Sequence, residues 1–164
     1  MGVCGIYSIY TMFIYRITKA LRAGRVKFAI AGGYAVALHG AVRGTVDLDL
    51  VLEISPGNYK RAELALNGTG LVSRLPVSAE QVCAFRGEYI KNRNLIAWSF
   101  WNPGNPAEIV DIIITDNLKS LKTTNIRAGD MELPVISRAD LIRMKRKSGR
   151  PQDLEDVKAL ESLK

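Results

Sequence analysis

The chain has 164 residues, of which 48% are hydrophobic and 24% are charged, and its formal net charge is +7. This length predicts one globular domain over residues 1–164 with a sizeable core, and the sequence contains no repeats or low-complexity segments. The basic balance favours polyanionic partners such as nucleotide, RNA or an acidic protein, although a solvated surface rich in Lys and Arg explains the charge equally well.

The two cysteines, Cys4 and Cys83, have the spacing of neither a metal site nor a disulfide framework, so we expect a reduced, cytoplasmic setting. The apolar stretch 3–15 is too short to span a bilayer, which takes roughly 20 apolar residues, and it lacks the features of a signal peptide. Its spacing predicts a helix over residues 9–23 that packs on a sheet, within an N-terminal segment of residues 1–24.

A strand, a glycine pair and a short helix follow. The apolar run 27–31 predicts a strand that stops at Gly32 and Gly33, and residues 34–39 predict a helix closed by Gly40. Adjacent glycines let the backbone approach an anion without a side-chain clash, and the start of a helix presents free N–H groups to it. The segment therefore predicts a phosphate site.

Residues 46–52 alternate between polar and apolar, which predicts a strand with Asp47 and Asp49 on one face. Two carboxylates side by side repel each other and lose hydration, so they are costly to bury. A metal ion removes this conflict, and Mg²⁺ prefers oxygen ligands of this kind. The glycine pair followed by the Asp-x-Asp strand predicts a combined phosphate and metal site.

The middle of the chain is less informative. A loop is predicted for residues 54–58 and a helix for 59–66. Ser78, with Gln81 three residues later, predicts the start of a second helix with a capping box. No element is predicted for the polar, basic stretch 87–94, where we expect the residues that determine the substrate to lie.

Two further strands are predicted, at residues 95–101 and 108–115. In the first, Trp98 and Trp101 could stack a nucleobase, but aromatic residues more often belong to a core. In the second, Asp111 lies between apolar neighbours, and an unpaired carboxylate in a dry core costs several kcal/mol. We therefore expect Asp111 to face a site or a cation, rather than solvent at the edge of a sheet.

The last third predicts a hairpin with its turn at Gly129 and Asp130, followed by two helices within residues 138–164. The first helix begins after Ser137, which is a good N-cap, and the second begins at Pro151.

These motifs together resemble the nucleotidyltransferase superfamily, which has the DNA polymerase β-like fold, and are most similar to its small single-domain AbiEii-type toxins. The resemblance is carried by the strand, glycine pair, helix and Asp-x-Asp strand, by His39-Gly40 and Arg43-Gly44-Thr45, and by the run from Pro134 to Asp156. It implies an α/β (α+β) fold with a mixed β-sheet flanked by helices.

The resemblance also implies roles for individual residues. Two Mg²⁺ ions, for which Mn²⁺ could substitute, would be held by Asp47, Asp49 and Asp111. One ion would activate the attacking hydroxyl and the other would neutralise the departing pyrophosphate, while Asp111 could take the hydroxyl proton. The nucleotide and its phosphates would be bound by Gly32, Gly33, Arg43, Thr45, Lys145 and Arg150. The substrate or these binding residues would be contacted by His39, Asp153 and Asp156.

Several of these roles have alternatives. Gly33 stands where many active members have Ser, so one hydroxyl contact to phosphate is missing. Arg43 could instead pair with Glu53 or with a surface carboxylate, and His39 is more simply explained as a satisfied structural residue at a helix end. The two acids of the last helix either orient the neighbouring bases by ion pairs or lie in solvent.

The leading hypothesis is a Mg²⁺-dependent enzyme that moves a nucleoside monophosphate from an NTP, such as ATP, to a hydroxyl of RNA or protein. The resemblance implies a toxin–antitoxin setting with an antitoxin or other protein partner, and no membrane partner is expected. The alternative is a domain of the same fold that binds nucleotide or a partner without catalysis. A basic RNA-binding protein without chemistry is a third hypothesis.

Overall fold

The computed structural model describes residues 3–164, with side chains from Met12 onward. The α-helices in this range are α1 Val3–Ala23, α2 Gly32–Leu38, α3 Pro56–Gly68, α4 Ala79–Ala84, α5 Arg86–Arg93, α6 Arg138–Ser148 and α7 Pro151–Ser162. The strands are β1 Phe28–Ile30, β2 Leu48–Leu52, β3 Val72–Ser73, β4 Ala97–Asn102, β5 Asn105–Ile113, β6 Thr123–Ala128 and β7 Met131–Ile136. A short 3₁₀ helix covers Leu118–Ser120.

The strands form one mixed sheet in the order β3-β4-β5-β2-β1-β7-β6. β2 is parallel to β5 and β1 is parallel to β7, whereas the other neighbouring pairs are antiparallel. The predicted α/β fold with a mixed sheet and flanking helices is therefore confirmed. β2 and β5 lie side by side near the middle of the sheet, although β3, β4 and three helices separate them in the sequence.

The two faces of the central strands differ in chemistry. One face is apolar and fully buried, with Leu48, Leu50 and Leu52 of β2 beside Val110 and Ile112 of β5. α3 packs on this face, where Tyr59 stacks against the buried Trp98 of β4 with ring centroids 6.2 Å apart. Because side chains alternate along a strand, Asp49 of β2 and Asp111 of β5 project to the opposite face, which we call the carboxylate face.

The first helix begins at Val3 rather than at residue 9. The apolar residues that predict this helix form a stripe at helical spacing, namely Ile6, Ile9, Phe13, Ile17 and Leu21, and the last three are buried. The first two positions of the stripe, Ile6 and Ile9, lie outside the described side chains, as does Cys4. Within the part of the chain that the structure describes, no helix is long and apolar enough to cross a membrane.

Two segments fold differently from the prediction. Of the loop predicted for residues 54–58, Ile54 and Ser55 do precede the helix, but residues 56–58 form the first turn of α3. Ser55 accepts a hydrogen bond from Asn58 N, and Pro56 occupies the first helical position. The stretch 87–94, for which no element was predicted, is mostly helical in α5. A helix on the surface needs few apolar residues, and no residue of α5 is fully buried. Its sequence therefore lacks the repeated apolar positions from which a helix is predicted.

Asn58 joins three elements of the fold. The side chain is 1% exposed. Its Oδ1 accepts a hydrogen bond from Lys27 N at 2.9 Å, and its Nδ2 donates to Lys27 O at 3.0 Å and to Glu53 O at 2.9 Å. These bonds tie the start of α3 to the chain that enters β1 and to the chain that leaves β2.

We expect Asn58→Ala to lower the free energy of unfolding by about 2–4 kcal/mol, because it removes the side-chain partner of Lys27 N and of Glu53 O and one of the two donors to Lys27 O. Urea unfolding followed by circular dichroism measures the change. Asn67→Ala is the matched control, since Asn67 is an exposed residue of the same helix and its substitution should change the stability little. Equal effects of the two substitutions would contradict this role of Asn58.

Candidate active site

Three carboxylates converge at the centre of the sheet. Asp49 of β2 lies directly beside Asp111 of β5 in the parallel register. The strand begins at Leu48 and not at residue 46 as predicted, so Asp47 lies in a bend just before β2. The structure thus places all three predicted carboxylates within electrostatic reach of one another.

The closeness of these acids changes how readily they ionise. Burial and the charge of Asp111 raise the pKa of Asp49 to about 6, against the opposing effect of Lys145. Burial and Asp111 also raise the pKa of Asp47, which Arg74 counteracts. The fully ionised site therefore destabilises the fold unless positive charge joins it.

Gly32 fits against Asp49 so closely that no side chain can replace its hydrogen. A Cβ on residue 32 would lie 1.8 Å from Asp49 Oδ2 and 2.5 Å from Asp49 Cγ. The residue also has φ +59°, which L side chains rarely adopt. α2 begins at this glycine, two residues before the predicted start, and the preceding Ala31 provides no side-chain cap. The backbone of Gly32 is thus held against the Asp49 carboxylate.

Gly33 is explained by a different neighbour. A Cβ on residue 33 would lie 2.8 Å from both Cβ and Oγ1 of Thr45. The backbone of Gly33 has no left-handed φ, so its conformation does not require glycine. Thr45 fills the space that a Ser at this position would occupy, which accounts for the departure from the pattern of the resembling family.

The predicted bases Lys145 and Arg150 lie in an ionic cluster with the acids of α7. Lys145 is 6% exposed, and its Nζ donates to Asp153 Oδ1 at 3.0 Å and to Asp156 Oδ2 at 2.8 Å. Arg150 Nε donates to Asp153 Oδ2 at 2.7 Å. Burial alone would raise the pKa of Asp153, but hydrogen bonds from Arg150 and Lys145 hold it well below its usual range. The acids are therefore buried ion-pair partners rather than solvated residues.

Arg43 and His39 both make structural contacts. Arg43 Nε lies 3.0 Å from Asp156 Oδ1, so the arginine pairs with α7 and not with Glu53, which is paired with Lys27 and Lys119. His39 Nε2 lies 2.8 Å from Ile136 O. A carbonyl oxygen only accepts, so this nitrogen donates and fixes the end of α2 to β7.

A pocket of about 460 Å³ opens beside the carboxylates. Asp49 and Asp111 form part of its lining. The cations at its wall are Lys145, Lys147 and Arg150. The apolar part of its lining is formed by Ile90, Ile96, Ala97, Ile113, Leu141 and Met144. The pocket can therefore hold a molecule that has both an anionic part and an apolar part.

The three carboxylates are chemically suitable ligands for a divalent cation, although their oxygens do not surround a single point. Asp111 Oδ1 is buried and receives no hydrogen bond from the described residues. Within residues 12–164, no group of three or more acidic, His or Cys side chains is arranged to hold an ion by itself. Mg²⁺ usually keeps several water and phosphate ligands, so a protein needs to supply only part of its coordination.

The sequence interpretation missed α5 and its part in this pocket. Ile90 of α5 forms part of the apolar wall. Arg86 fixes the helix to the end of β5, since its Nε donates to Ile114 O and its Nη2 donates to Thr115 O at 3.1 Å. The wall has no periodic signal, because it combines single residues from α5, β4, β5 and α6.

The raised pKa of Asp49 predicts a pH-dependent stability in Mg²⁺-free buffer with chelator. The group has a pKa of about 6 in the folded chain and about 4 when unfolded, so its stabilising protonation is complete below about pH 4 and is lost as the pH rises through about 6. Asn cannot ionise. We expect Asp49→Asn to gain about 3 kcal/mol over the unsubstituted chain between pH 4 and pH 8.

Urea unfolding at a series of pH values measures this gain. Asp130→Asn, in the exposed β6–β7 turn, is the control and should show no such trend. Parallel pH profiles of the Asp49 variant and the unsubstituted chain would show that Asp49 is not strained by its neighbours.

The contact between Gly33 and Thr45 predicts that a Gly→Ala substitution at residue 33 lowers the stability of the chain instead of raising it. Gly→Ala within a helix ordinarily stabilises by about 0.5–1 kcal/mol. We expect Gly33→Ala to destabilise the chain by about 1–3 kcal/mol instead, because the new Cβ collides with Thr45. In a Thr45→Gly background the same substitution should be neutral or stabilising. A thermal-unfolding double-mutant cycle measures the coupling, and additive effects would contradict it.

No family model matches the chain, and no curated protein sequence is significantly similar to it. Solved structures do match. The antibiotic-resistance factor ANT(2'')-Ia superposes with a TM-score of 0.65 at 12% identity, covering 93% of this chain and 83% of that one. A protein from Thermotoga maritima assigned as a nucleotidyltransferase gives 0.62 at 15% identity, covering 92% and 91%.

The lincosamide antibiotic adenylyltransferase LnuA, in its lincomycin-bound structure, gives a TM-score of 0.61 at 16% identity, and covers 93% of this chain and 97% of its own. At such identities the likeness concerns the arrangement of helices and strands. The membership of the AbiEii-type branch stays a prediction. What the superpositions establish is that this chain has the nucleotidyltransferase fold.

Proposed function

We propose that the chain is a nucleotidyltransferase that moves a nucleoside monophosphate from an NTP to a hydroxyl with the help of Mg²⁺. The observation that carries the proposal is the register that puts Asp49 beside Asp111, with Asp47 at the entrance of the same strand. Such a group of acids at the centre of a sheet is unfavourable without a bound cation. A binding-only domain has no need of it.

Mg²⁺, when bound, supplies the positive charge that neutralises the phosphates and activates the attacking hydroxyl. Asp47, Asp49 and Asp111 would hold it, and Mn²⁺ offers similar chemistry. The buried, unbonded Asp111 Oδ1 and the close packing of Gly32 against Asp49 support this assignment. Asp111 is also the carboxylate that could accept the hydroxyl proton.

The charged wall of the pocket suits the triphosphate. Arg150 is anchored at one edge by Asp153, while Lys145 is balanced by two buried acids and acts on Asp49 through space. Lys145 is therefore held rigidly rather than free to follow a phosphate. The contacts to phosphate that the resemblance implies remain for Arg150, Thr45 and the backbone of Gly32 and Gly33, whereas Arg43 acts through Asp156.

The acceptor can be RNA, protein or a small molecule. LnuA is described as a lincosamide adenylyltransferase, so this fold also serves acceptors of small size. The AbiEii-type motifs support a toxin role restrained by an antitoxin partner. If so, expression of the chain alone should arrest growth in a manner that depends on Asp49 and Asp111.

The second candidate is a domain that binds nucleotide or a partner protein without catalysis. It is favoured by the absence, among the described residues, of a ready-made metal ligand set. Nucleotide binding without transfer would separate it from the enzyme.

The transfer assay uses each α-³²P-labelled NTP with Mg²⁺, total RNA and cell extract. We expect label to enter one acceptor class, and we expect Asp49→Asn and Asp111→Asn to reduce the transfer by at least about 100-fold, because each removes a charge that the transition state requires. Chelation of Mg²⁺ should abolish the transfer and Mn²⁺ should restore part of it. Asp130→Asn is the matched control and should transfer normally.

No transfer with any NTP, together with no Mg²⁺-dependent nucleotide binding in calorimetry, would overturn the enzymatic proposal and leave a partner-binding domain. Transfer that survives both substitutions would place the chemistry elsewhere.

A further inference from the structure

A second surface adjoins the carboxylates on the side away from the pocket. In the sheet register Asp111 is paired with Asp49 on one side and with Ser99 on the other. Ile109 lies two residues before Asp111 in β5. It pairs with Trp101 of β4, which in turn pairs with Val72 of β3. Because paired residues project to the same face, these side chains extend the carboxylate face towards the β3 edge.

This surface, which we call the Trp101 platform, consists of Val72, Arg74, Ser99, Trp101 and Ile109. Val72 is 42% exposed, Arg74 is exposed, and the other three are partly exposed. The other tryptophan, Trp98, is fully buried on the opposite face, where its Nε1 donates to Ser73 Oγ. Only Trp101 therefore offers part of its ring to an incoming molecule.

Arg74 gives the platform its charge. Its guanidinium lies 5.8 Å from the centroid of the Trp101 ring, and its charge also acts on Asp47. None of the ion pairs found among the described side chains includes Arg74. A flat π surface beside a free cation is the combination that binds a base and its phosphate.

The carboxylates stand between the platform and the pocket. The pocket wall continues from Asp111 towards Ile113 and Ala97, whereas the platform continues in the opposite direction along the same strands. The Cα atoms of Trp101 and Asp111 are one row and one strand apart, which is about 8 Å in a regular sheet. In phosphoryl transfer the attacking and leaving oxygens lie roughly in line on opposite sides of the phosphorus. Donor and acceptor must therefore approach from two sides.

We propose that the Trp101 platform binds the acceptor and that this acceptor is a nucleotide unit, whose base stacks on Trp101 and whose phosphate pairs with Arg74. The inference rests on the proposed function. The acceptor hydroxyl oxygen forms a bond to the α-phosphorus of the NTP as the bond from that phosphorus to the bridging oxygen of the β-phosphate breaks. Pyrophosphate leaves, and the hydroxyl proton passes to a carboxylate of the site.

The nucleotide unit can be a free nucleoside monophosphate or the end of a single-stranded RNA, and both offer the same base, phosphate and hydroxyl. The test therefore has two ligands, AMP and a labelled single-stranded oligoribonucleotide. A third ligand, the same oligonucleotide with an abasic terminal residue, keeps the phosphates and removes the base that would stack.

Binding is measured first without NTP or Mg²⁺, so that it does not depend on catalysis. Anisotropy of the labelled oligonucleotide gives its affinity, and quenching of Trp101 fluorescence reports stacking. We expect Trp101→Ala to weaken binding about 10- to 100-fold, as loss of one stacked base does. Trp101→Phe, which keeps a ring, should remain within about 3-fold of the unsubstituted chain, and the abasic oligonucleotide should resemble the alanine variant.

Arg74→Gln should weaken binding and reduce the salt dependence of the affinity. Arg127→Gln is its matched control, because Arg127 is an exposed arginine on β6, the strand at the other edge of the sheet, and it should bind as the unsubstituted chain does. Competition by AMP would assign the platform to free nucleotides. Binding of the oligonucleotide without such competition would assign it to RNA ends.

In the transfer reaction, the Trp101→Ala enzyme should have a raised KM for the acceptor, while its Mg²⁺-dependent affinity for NTP stays within about 2-fold of the original. Retained NTP affinity also shows that the variant is folded. Equal loss of NTP affinity would make Trp101 part of the donor site and overturn the proposal. Unchanged acceptor binding in the Trp101→Ala variant would also overturn it, as would failure of both ligands to bind. Transfer to a protein acceptor at a rate that the Trp101→Ala substitution does not change would overturn it too.

The two proposals fail in different ways. Base-dependent binding to the platform without transfer from any NTP would remove the catalytic proposal and leave the platform as a binding site. Transfer that is independent of Trp101 and Arg74 would remove the platform and leave the enzyme.

Discussion

Like charges held together at the centre of the sheet are the constraint on which the rest of the structure depends. Asp49 and Asp111 have no freedom to separate, because their backbones are paired in a parallel register. The residues around them reduce the repulsion between the two carboxylates or make room for them. Residue 32 is a glycine, which leaves room for the Asp49 side chain, and positive charge from α6 and the following loop partly offsets the repulsion.

That positive charge is itself held by a buried network. Lys145 lies between Asp153 and Asp156, and Arg43 approaches Asp156 from the loop that leads to β2. Removing one member of such a cluster leaves an uncompensated buried charge, which ordinarily costs more than the intact cluster contributes. The network therefore works as a frame that sets the position of α6 and α7 relative to α2, and not as a set of free phosphate ligands.

The sequence allowed the chemistry of the site to be predicted better than its geometry. Alternation along β2 and the isolated acid of β5 indicated the three carboxylates, since these signals are local. The pairing of Asp49 with Asp111 could not be derived, because it depends on which distant strands become neighbours. The same is true of the collision between residues 33 and 45, which no local pattern records.

Other residues were assigned to the wrong partner or left without one. The alternative partners considered for Arg43 were Glu53 and a surface carboxylate, but the arginine pairs with the buried Asp156, because α7 folds back beside α2. α5 gave no signal, since it packs without a fully buried residue. Trp98 and Trp101 looked alike in the sequence, yet the odd and even positions of β4 put one in the core and the other on the carboxylate face.

The strand order has a consequence for the timing of synthesis. β2 leaves the ribosome well before its parallel neighbour β5, and α6 with Lys145 and the following loop with Arg150 come later still. Non-local pairings of this kind form slowly and only once both partners are available. A nascent chain that ends before β5 has one pair of acids and no third carboxylate. The three carboxylates therefore come together only after β5 has been synthesised, and the ionic cluster beside them only after α6 and α7 have followed.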